Sequence, residues 1–184
     1  MKFINTKIVD VIIIEPTVFG DKRGYFFESY NQKKFDEVVG KISFVQDNES
    51  KSSKGVLRGL HFQKPPFAQA KLVRCIKGRV IDVAVDIRKG SPTYGRHVSV
   101  ELSEENKRQL FIPRGFAHGF AVLSNTAVFA YKVDNIYAPK YDSGIKYNDK
   151  ELNIDWILAY NEVQLSSKDG NLSFFKDLDS PFKF

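Results

Sequence analysis

A single cysteine, Cys75, excludes an internal disulfide framework. It stands in the apolar alternation Leu72-Val73-Arg74-Cys75-Ile76, as a buried structural thiol does, and no second thiol can make a zinc or redox motif with it. That usage suits a reducing compartment. The opening stretch MKFINTKIVD lacks an apolar core of signal-peptide length. No run approaches the roughly 18 apolar residues of a membrane span. A cytoplasmic protein with no membrane partner is therefore expected. Basic residues exceed acidic ones, 28 to 22, for a net charge of +6. Yet Lys and Arg are interleaved with acids, and the basic runs that mark nucleic-acid tails are missing, so nucleic acid is not expected as a partner. The same field would attract a smaller anion, such as a phosphorylated metabolite. Linkers, repeats and low-complexity segments are absent too, and residues 1–184 read as one domain.

What is present is strand. Sixteen Phe and eight Tyr accompany many Val and Ile, a composition that favours sheets. Strands are expected at 9–14, 71–76, 79–87, 96–102, 110–113, 119–123 and 127–133, with RGLHFQ (58–63) as a further short one. One helix is expected at 31–39, where Phe35, Val38 and Val39 recur at helical spacing. Ser103, with Asn106 three residues on, reads as the cap of a single turn. The tail from Val163 mixes polar and aromatic residues and is expected to add late helical turns. Strands at short intervals without long intervening helices point to an antiparallel sandwich or barrel.

The alternation within these strands carries more. In RVIDVAVDI, Val80, Asp82, Ala84 and Asp86 share one face, and Ile81, Val83, Val85 and Ile87 share the other. Lys71, Val73 and Cys75 likewise oppose Leu72, Arg74 and Ile76. A sandwich would leave the isolated polar residues in water; a small barrel would aim them into a ligand-holding lumen. Both readings stay open on pattern alone.

Three histidines are available for chemistry. His97 alternates with Ser99 on what reads as an exposed strand face and is not expected to be functional. His118 lies in IPRGFAHGF, which Pro113, Gly115 and Gly119 shape as a loop. His61 sits in RGLHFQ, on the face opposite Leu60 and Phe62, with Arg58 on the side of those two. No two histidines are close in sequence, so metal dependence is not expected. Acid–base chemistry needs a base, an orienting carboxylate, a donor for a developing oxyanion and an acid. Composition cannot choose among the many Asp and Tyr residues for those roles.

A resemblance can. FGDKRGYFFES (19–29), FVQDN (44–48), RGLHFQ, QAKLVRCIKGRVIDVAVDIRKGSPTYG, IPRGFAHGF, YKVDNIYAP, GIKYND and LSSKD (165–169), in that order, resemble the dTDP-4-dehydrorhamnose 3,5-epimerases over nearly the whole chain. The resemblance implies an all-β, cupin-type jelly roll with a few short peripheral helices, acting as a homodimer without metal or organic cofactor. It implies a dTDP-4-keto-6-deoxy sugar substrate inverted at C3 and C5. His61 matches the family's base and Asp169 the carboxylate paired with it, with Asp82 or Asp86 as the alternative partner. Lys71 matches the cation at the enolate oxygen, and Tyr131 the acid on the opposite face.

Among binding positions, Arg23 and Glu28 match nucleotide contacts on a strand arm that crosses the dimer. Gln46, Asn48 and Arg58 match polar or anion contacts, and His118 a residue near the sugar. Tyr137 matches the ring that stacks on thymine, and Asp142 and Lys168 match further ligand contacts. The chain departs from the family pattern at Ile136, at Tyr147, where Trp is frequent, and at Asp142, where Glu is frequent. Two alternatives remain at this level: an epimerase acting at C3 alone, and a non-catalytic nucleotide-sugar-binding barrel. The second would have no need of His61, Lys71, Tyr131 and Asp169 together.

Overall fold

A computed structural model describes residues 1–184. Two antiparallel sheets face each other. The first runs, in spatial order, β1 (Lys2–Asn5), β2 (Ile12–Glu15), β10 (Gln109–Ile112), β7 (Lys71–Lys77), β12 (Thr126–Val133) and β5 (Gln46–Ser53). The second runs β13 (Asp142–Gly144), β6 (Leu57–Gln63), β11 (Phe116–Val122), β8 (Arg79–Asp86) and β9 (His97–Ser103). A hairpin, β3 (Val18–Asp21) and β4 (Gly24–Phe27), pairs only with itself. This is an antiparallel sandwich, as the strand spacing suggested, and the jelly roll that the resemblance implied.

The alternation seen in β8 resolves in favour of the lumen. Val80 and Ala84 pack between the sheets with Val73, Cys75, Phe120 and Phe129. Ile81, Val83, Val85 and Ile87 face outward and are nevertheless buried, because the chain from Ile145 to Phe182 folds back over them with Tyr147, Trp156 and Phe182. The second sheet is thus dry on its outer face over β8, whose polar residues Asp82 and Asp86 do not share that face, while the edge strand β9 turns Ser99 and Glu101 to solvent.

The first sheet is covered at one end by α1 (Gln32–Val38). The Asn31 side chain accepts from the Lys34 amide, a cap worth about 1 kcal/mol. Phe35, 1% exposed, wedges against Phe111 and Phe44; burying such a ring stabilises the fold by about 2–3 kcal/mol. Ser103 and Asn106 cap each other reciprocally, as their spacing suggested. The late turns arrive as α2 (Ser167–Gly170) and a 3-10 turn, Phe175–Asp177. Cys75 is buried, its thiol pushed up to about 12 by burial.

The expected strand at 9–14 begins only at Ile12. The Thr6 hydroxyl donates to the carbonyls of Ile8 and Val11, folding residues 6–11 into a turn that its apolar composition conceals. His118, expected in a loop, is in the middle of β11. Its glycine neighbour Gly119 is no breaker: a Cβ there would sit 2.7 Å from the Arg58 carbonyl oxygen, so glycine serves close strand approach.

Candidate active site

His61 and His118 are cross-strand partners on β6 and β11. Between this pair and the next, Arg58 with Phe120, β6 carries one residue more than β11. The extra residue is a bulge at Gly59 and Leu60, where Gly59 takes φ +131°, a conformation side chains rarely adopt. The bulge changes the parity of the strand. Leu57, Leu60 and Phe62 all enter the outer core, while Arg58 returns to the side of His61 and lines the same cavity. Strict alternation put Arg58 on the wrong face because it could not count the bulge. The Arg58 guanidinium is held by Nε donating to Ser52 Oγ at 3.2 Å.

Each ring has its own carboxylate. His61 Nε2 is hydrogen-bonded to Asp169, whose side chain is 5% exposed. Burial alone would raise the Asp169 pKa, but the hydrogen bond and charge of His61, and after them the Ser166 side chain, hold it below the usual range. His118 Nε2 donates to Asp82 at 2.9 Å. Burial lowers the His118 pKa, with Asp82 opposing. Asp82 and Asp86 are therefore not partners of His61. Asp82 is committed to His118, and Asp86 is fully buried with Arg88, Ser91 and Thr93. His97 lines neither cavity of this cleft.

Two adjoining cavities, about 330 and 380 Å³, share Asn48, His61, Lys71, Tyr131 and Lys168 and form one cleft between the sheets. Lys71 opens β7, on the inward face with Val73 and Cys75. Burial lowers its pKa to about 8, against the pull of Asp142 and Asp82. Tyr131, on the adjacent strand β12 of the same sheet and across the cleft from His61, has its phenol pKa raised by burial; the Lys71 ammonium lies 6.0 Å from its ring centroid.

At the mouth, Gln46 Nε2 donates to Asn48 at 2.8 Å, and Gln46 Oε1 accepts the Tyr137 amide. The Tyr137 hydroxyl donates to Asp142 at 3.0 Å, and Lys168 is ion-paired to the same carboxylate oxygen. Asp142, with its side chain 11% exposed, is no loose surface charge. Eleven of the thirteen residues singled out in the sequence thus converge on the cleft or its lip, Asp169 among them and bonded to His61. Arg23 and Glu28 do not line it. Arg23 pairs with Asp21 at the exposed hairpin tip, and Glu28 pairs with Lys34.

Sequence reasoning missed Gln63. It is 4% exposed, and its amide bonds Phe67, Ile136 and Ala138 together. Its signal was available: a polar residue sharing the His61 face two positions on. Tyr147 is a core residue, its carbonyl accepting from the Trp156 indole, so that departure touches packing. No three His, Cys, Asp or Glu side chains are grouped as a ligand set would need.

A jelly roll with a His–Asp pair on one wall and a lysine and a tyrosine on the other defines a class: barrels built for acid–base chemistry in the lumen. Residues 5–177 match the family profile described as dTDP-4-dehydrorhamnose 3,5-epimerase, and the chain belongs to that family. It is 59% identical to the Shigella flexneri dTDP-4-dehydrorhamnose 3,5-epimerase over 180 residues, 97% of this chain and 98% of that protein. The crystal structure of the Elizabethkingia anophelis enzyme superposes with a TM-score of 0.92 at 58% identity, covering 96% of this chain and 97% of that one. That of a Legionella pneumophila dTDP-6-deoxy-D-glucose-3,5-epimerase, in complex with dTDP-4-keto-L-rhamnose, gives 0.95 at 50% identity, covering 100% and 98%. A Streptomyces bikiniensis 3'-monoepimerase is more distant, with a TM-score of 0.85 at 30% identity, covering 92% of this chain and 86% of that one.

Proposed function

We infer that the chain inverts C3 and C5 of dTDP-4-dehydro-6-deoxy-D-glucose, giving dTDP-4-dehydro-L-rhamnose for dTDP-L-rhamnose synthesis. The observation that carries this is the opposition of His61, backed by Asp169 of α2, on one sheet to Lys71 and Tyr131 on adjacent strands of the other, in a chain of this family. C3 and C5 both flank the C4 ketone, so loss of either proton leaves an enolate with its charge on the C4 oxygen. His61 takes the proton through the ring nitrogen not bonded to Asp169, which orients the ring and stabilises the imidazolium. The Lys71 ammonium meets the charge that develops on oxygen. Tyr131, kept protonated by burial, returns a proton to the opposite face of the carbon, and the phenolate is reset from solvent.

Arg58, His118, Gln46 and Asn48 hold the sugar diphosphate, and Tyr137, half exposed at the lip, stacks on the thymine. The hairpin supports a homodimer. Isolated two-stranded ribbons are marginal in water, and this one exposes Phe19 by 63%, Tyr25 by 60% and Phe26 by 71%. Seated on a second copy, it would bring Arg23 and Glu28 to the neighbouring nucleotide. A nucleotide-sugar substrate suits a cytoplasmic enzyme. Incubation of the 4-keto sugar nucleotide in deuterated water tests the reading. Deuterium at C3 and C5 is expected; deuterium at neither overturns the epimerase, and deuterium at C3 alone reduces it to a monoepimerase.

A further inference from the structure

We propose that Asp142 and Lys168 are positioning residues that tie nucleotide recognition at Tyr137 to the placement of Asp169 behind His61. The inference rests on the epimerase reading and assigns a task to a pair treated so far as ligand contacts. α2 has four residues, too few to hold itself in place. It must nevertheless deliver Asp169 to a ring on a different element. Its Lys168, adjacent to Asp169, is ion-paired to Asp142, the first residue of β13. β13 lies along β6 with Asp142 opposite Gln63 and Gly144 opposite His61. The contacts therefore close a ring: His61, β6–β13 pairing, Asp142, Lys168, Asp169 and back to His61. Besides the ion pair, the far side of that ring is held by the Ser166 cap, by Leu165 against the outer core, and by the bridges from Val56 to Gln164 before the helix and from Ile145 to Ser173 beyond it; none of these involves the side chains of Asp142 or Lys168.

The nucleotide end enters at the same atom. Asp142 Oδ2 accepts from both the Tyr137 hydroxyl and Lys168. Tyr137 is 53% exposed and anchored through its amide to Gln46. A base stacked on this ring orders a side chain that otherwise faces solvent, and so orders the carboxylate that holds α2. The pair also acts on Lys71 in opposite senses: Asp142 supports its ammonium and Lys168 opposes it. The ammonium faces Asp142 from β13, Asp82 from β8, Lys168 from α2, His61 from β6, His118 from β11 and Tyr131 from β12; Arg58, Glu49 and Asp169 border the same cleft.

The test compares the wild-type chain with Asp142→Asn, Asp142→Glu, Lys168→Met and the Asn/Met double variant. Turnover is measured by deuterium incorporation, affinity by calorimetry with dTDP, and the proton of the His61–Asp169 bond by NMR. Misplacing one partner of a catalytic pair by about 1 Å costs up to about 100-fold. We therefore expect kcat to fall roughly 10- to 100-fold in Asp142→Asn and in Lys168→Met, with dTDP affinity within about threefold and the bonded-proton signal broadened. The double variant should be no slower than the slower single one, and Asp142→Glu should recover most of the rate. The alkaline limit of the pH profile should move down in Asp142→Asn and up in Lys168→Met, a split that mere loosening of the fold does not produce. Loss of dTDP affinity with kcat intact would make the two residues plain ligand contacts and overturn the proposal. A wild-type chain without exchange would instead sink the epimerase reading. The NMR arm would still decide the positioning claim, since an unchanged proton signal in Lys168→Met refutes it.

Discussion

In the proposed mechanism His61 and Tyr131 have separable tasks, and substitution should separate them. His61→Ala removes the only ring that is both solvent-accessible in the cleft and backed by Asp169. Loss of a general base costs about 10²- to 10⁴-fold, so deuterium incorporation at C3 and C5 should fall together by that factor; loss at one centre alone would mean two bases. Tyr131→Phe leaves the base and removes the opposite-face acid. The enolate then recovers its proton from the His61 side. The expected product is substrate that has gained deuterium without inverting, read by NMR of the recovered sugar nucleotide. In the same proposed mechanism Lys71 is the group that sets the pH range. With its pKa lowered to about 8 by burial, the ammonium is lost as pH rises through that value, so kcat/KM should decline above about pH 8. Lys71→Arg, whose guanidinium stays charged at any working pH, should lack that decline even if its overall rate is lower. A decline that persists in Lys71→Arg would place the limb on another group.

At the scale of elements, the strands that present these side chains differ in how plainly the sequence announces them. β8 and β7 were legible because they alternate, and the alternation named the inward residues Asp82 and Lys71. β5, QDNESKSS, was not: it has no apolar residue, since its exposed positions face solvent and its inward ones, Gln46 and Asn48, face the cleft. A strand with polar demands on both faces carries no periodic signal. The parity of Arg58 was hidden for a different reason, the bulge at Gly59, which is a property of pairing with β11 and not of β6 itself. Roles were hidden more deeply still. Asp169 lies 108 positions from His61, and only the resemblance joined them. The bulge makes its own prediction. A Cβ on Gly59 would meet the Gly119 Cα at 2.5 Å, in a backbone conformation with φ +131°. Gly59→Ala should destabilise the fold by about 2–3 kcal/mol, seen as a lower midpoint in urea. Any folded fraction should bind dTDP weakly, because Arg58 would turn away from the cleft. An unchanged midpoint would show that the bulge can relax.

For the molecule as a whole, the hairpin β3–β4 is the part that a single chain does not explain. Every other strand joins one of the two large sheets, whereas this pair stands apart with three of its aromatic residues open to solvent. Its tip charge, Arg23, is neutralised by Asp21 and 85% exposed, a poor investment for stability. Both features make sense if the aromatic residues seat on a second copy and Arg23 finds a diphosphate there. Facing the same solvent, the outer surface of the first sheet offers a hollow of about 350 Å³ bordered by Tyr30, Leu72, Arg74 and Gln109, a mixed apolar and polar seat with room for an aromatic side chain of such a ribbon. Replacing Phe19 and Phe26 together by Ser removes most of the apolar contact without touching the cleft of the same chain. The expected outcome is a shift from dimer to monomer in light scattering, with circular dichroism of the sheets retained. dTDP affinity should fall in the monomer, because the proposed assembly places Arg23 and Glu28 of one copy at the nucleotide of the other. Arg23→Ala alone should weaken dTDP binding while leaving the dimer intact. If Arg23→Ala binds dTDP as the wild type does, the hairpin assembles the molecule but contributes nothing to its neighbour's site.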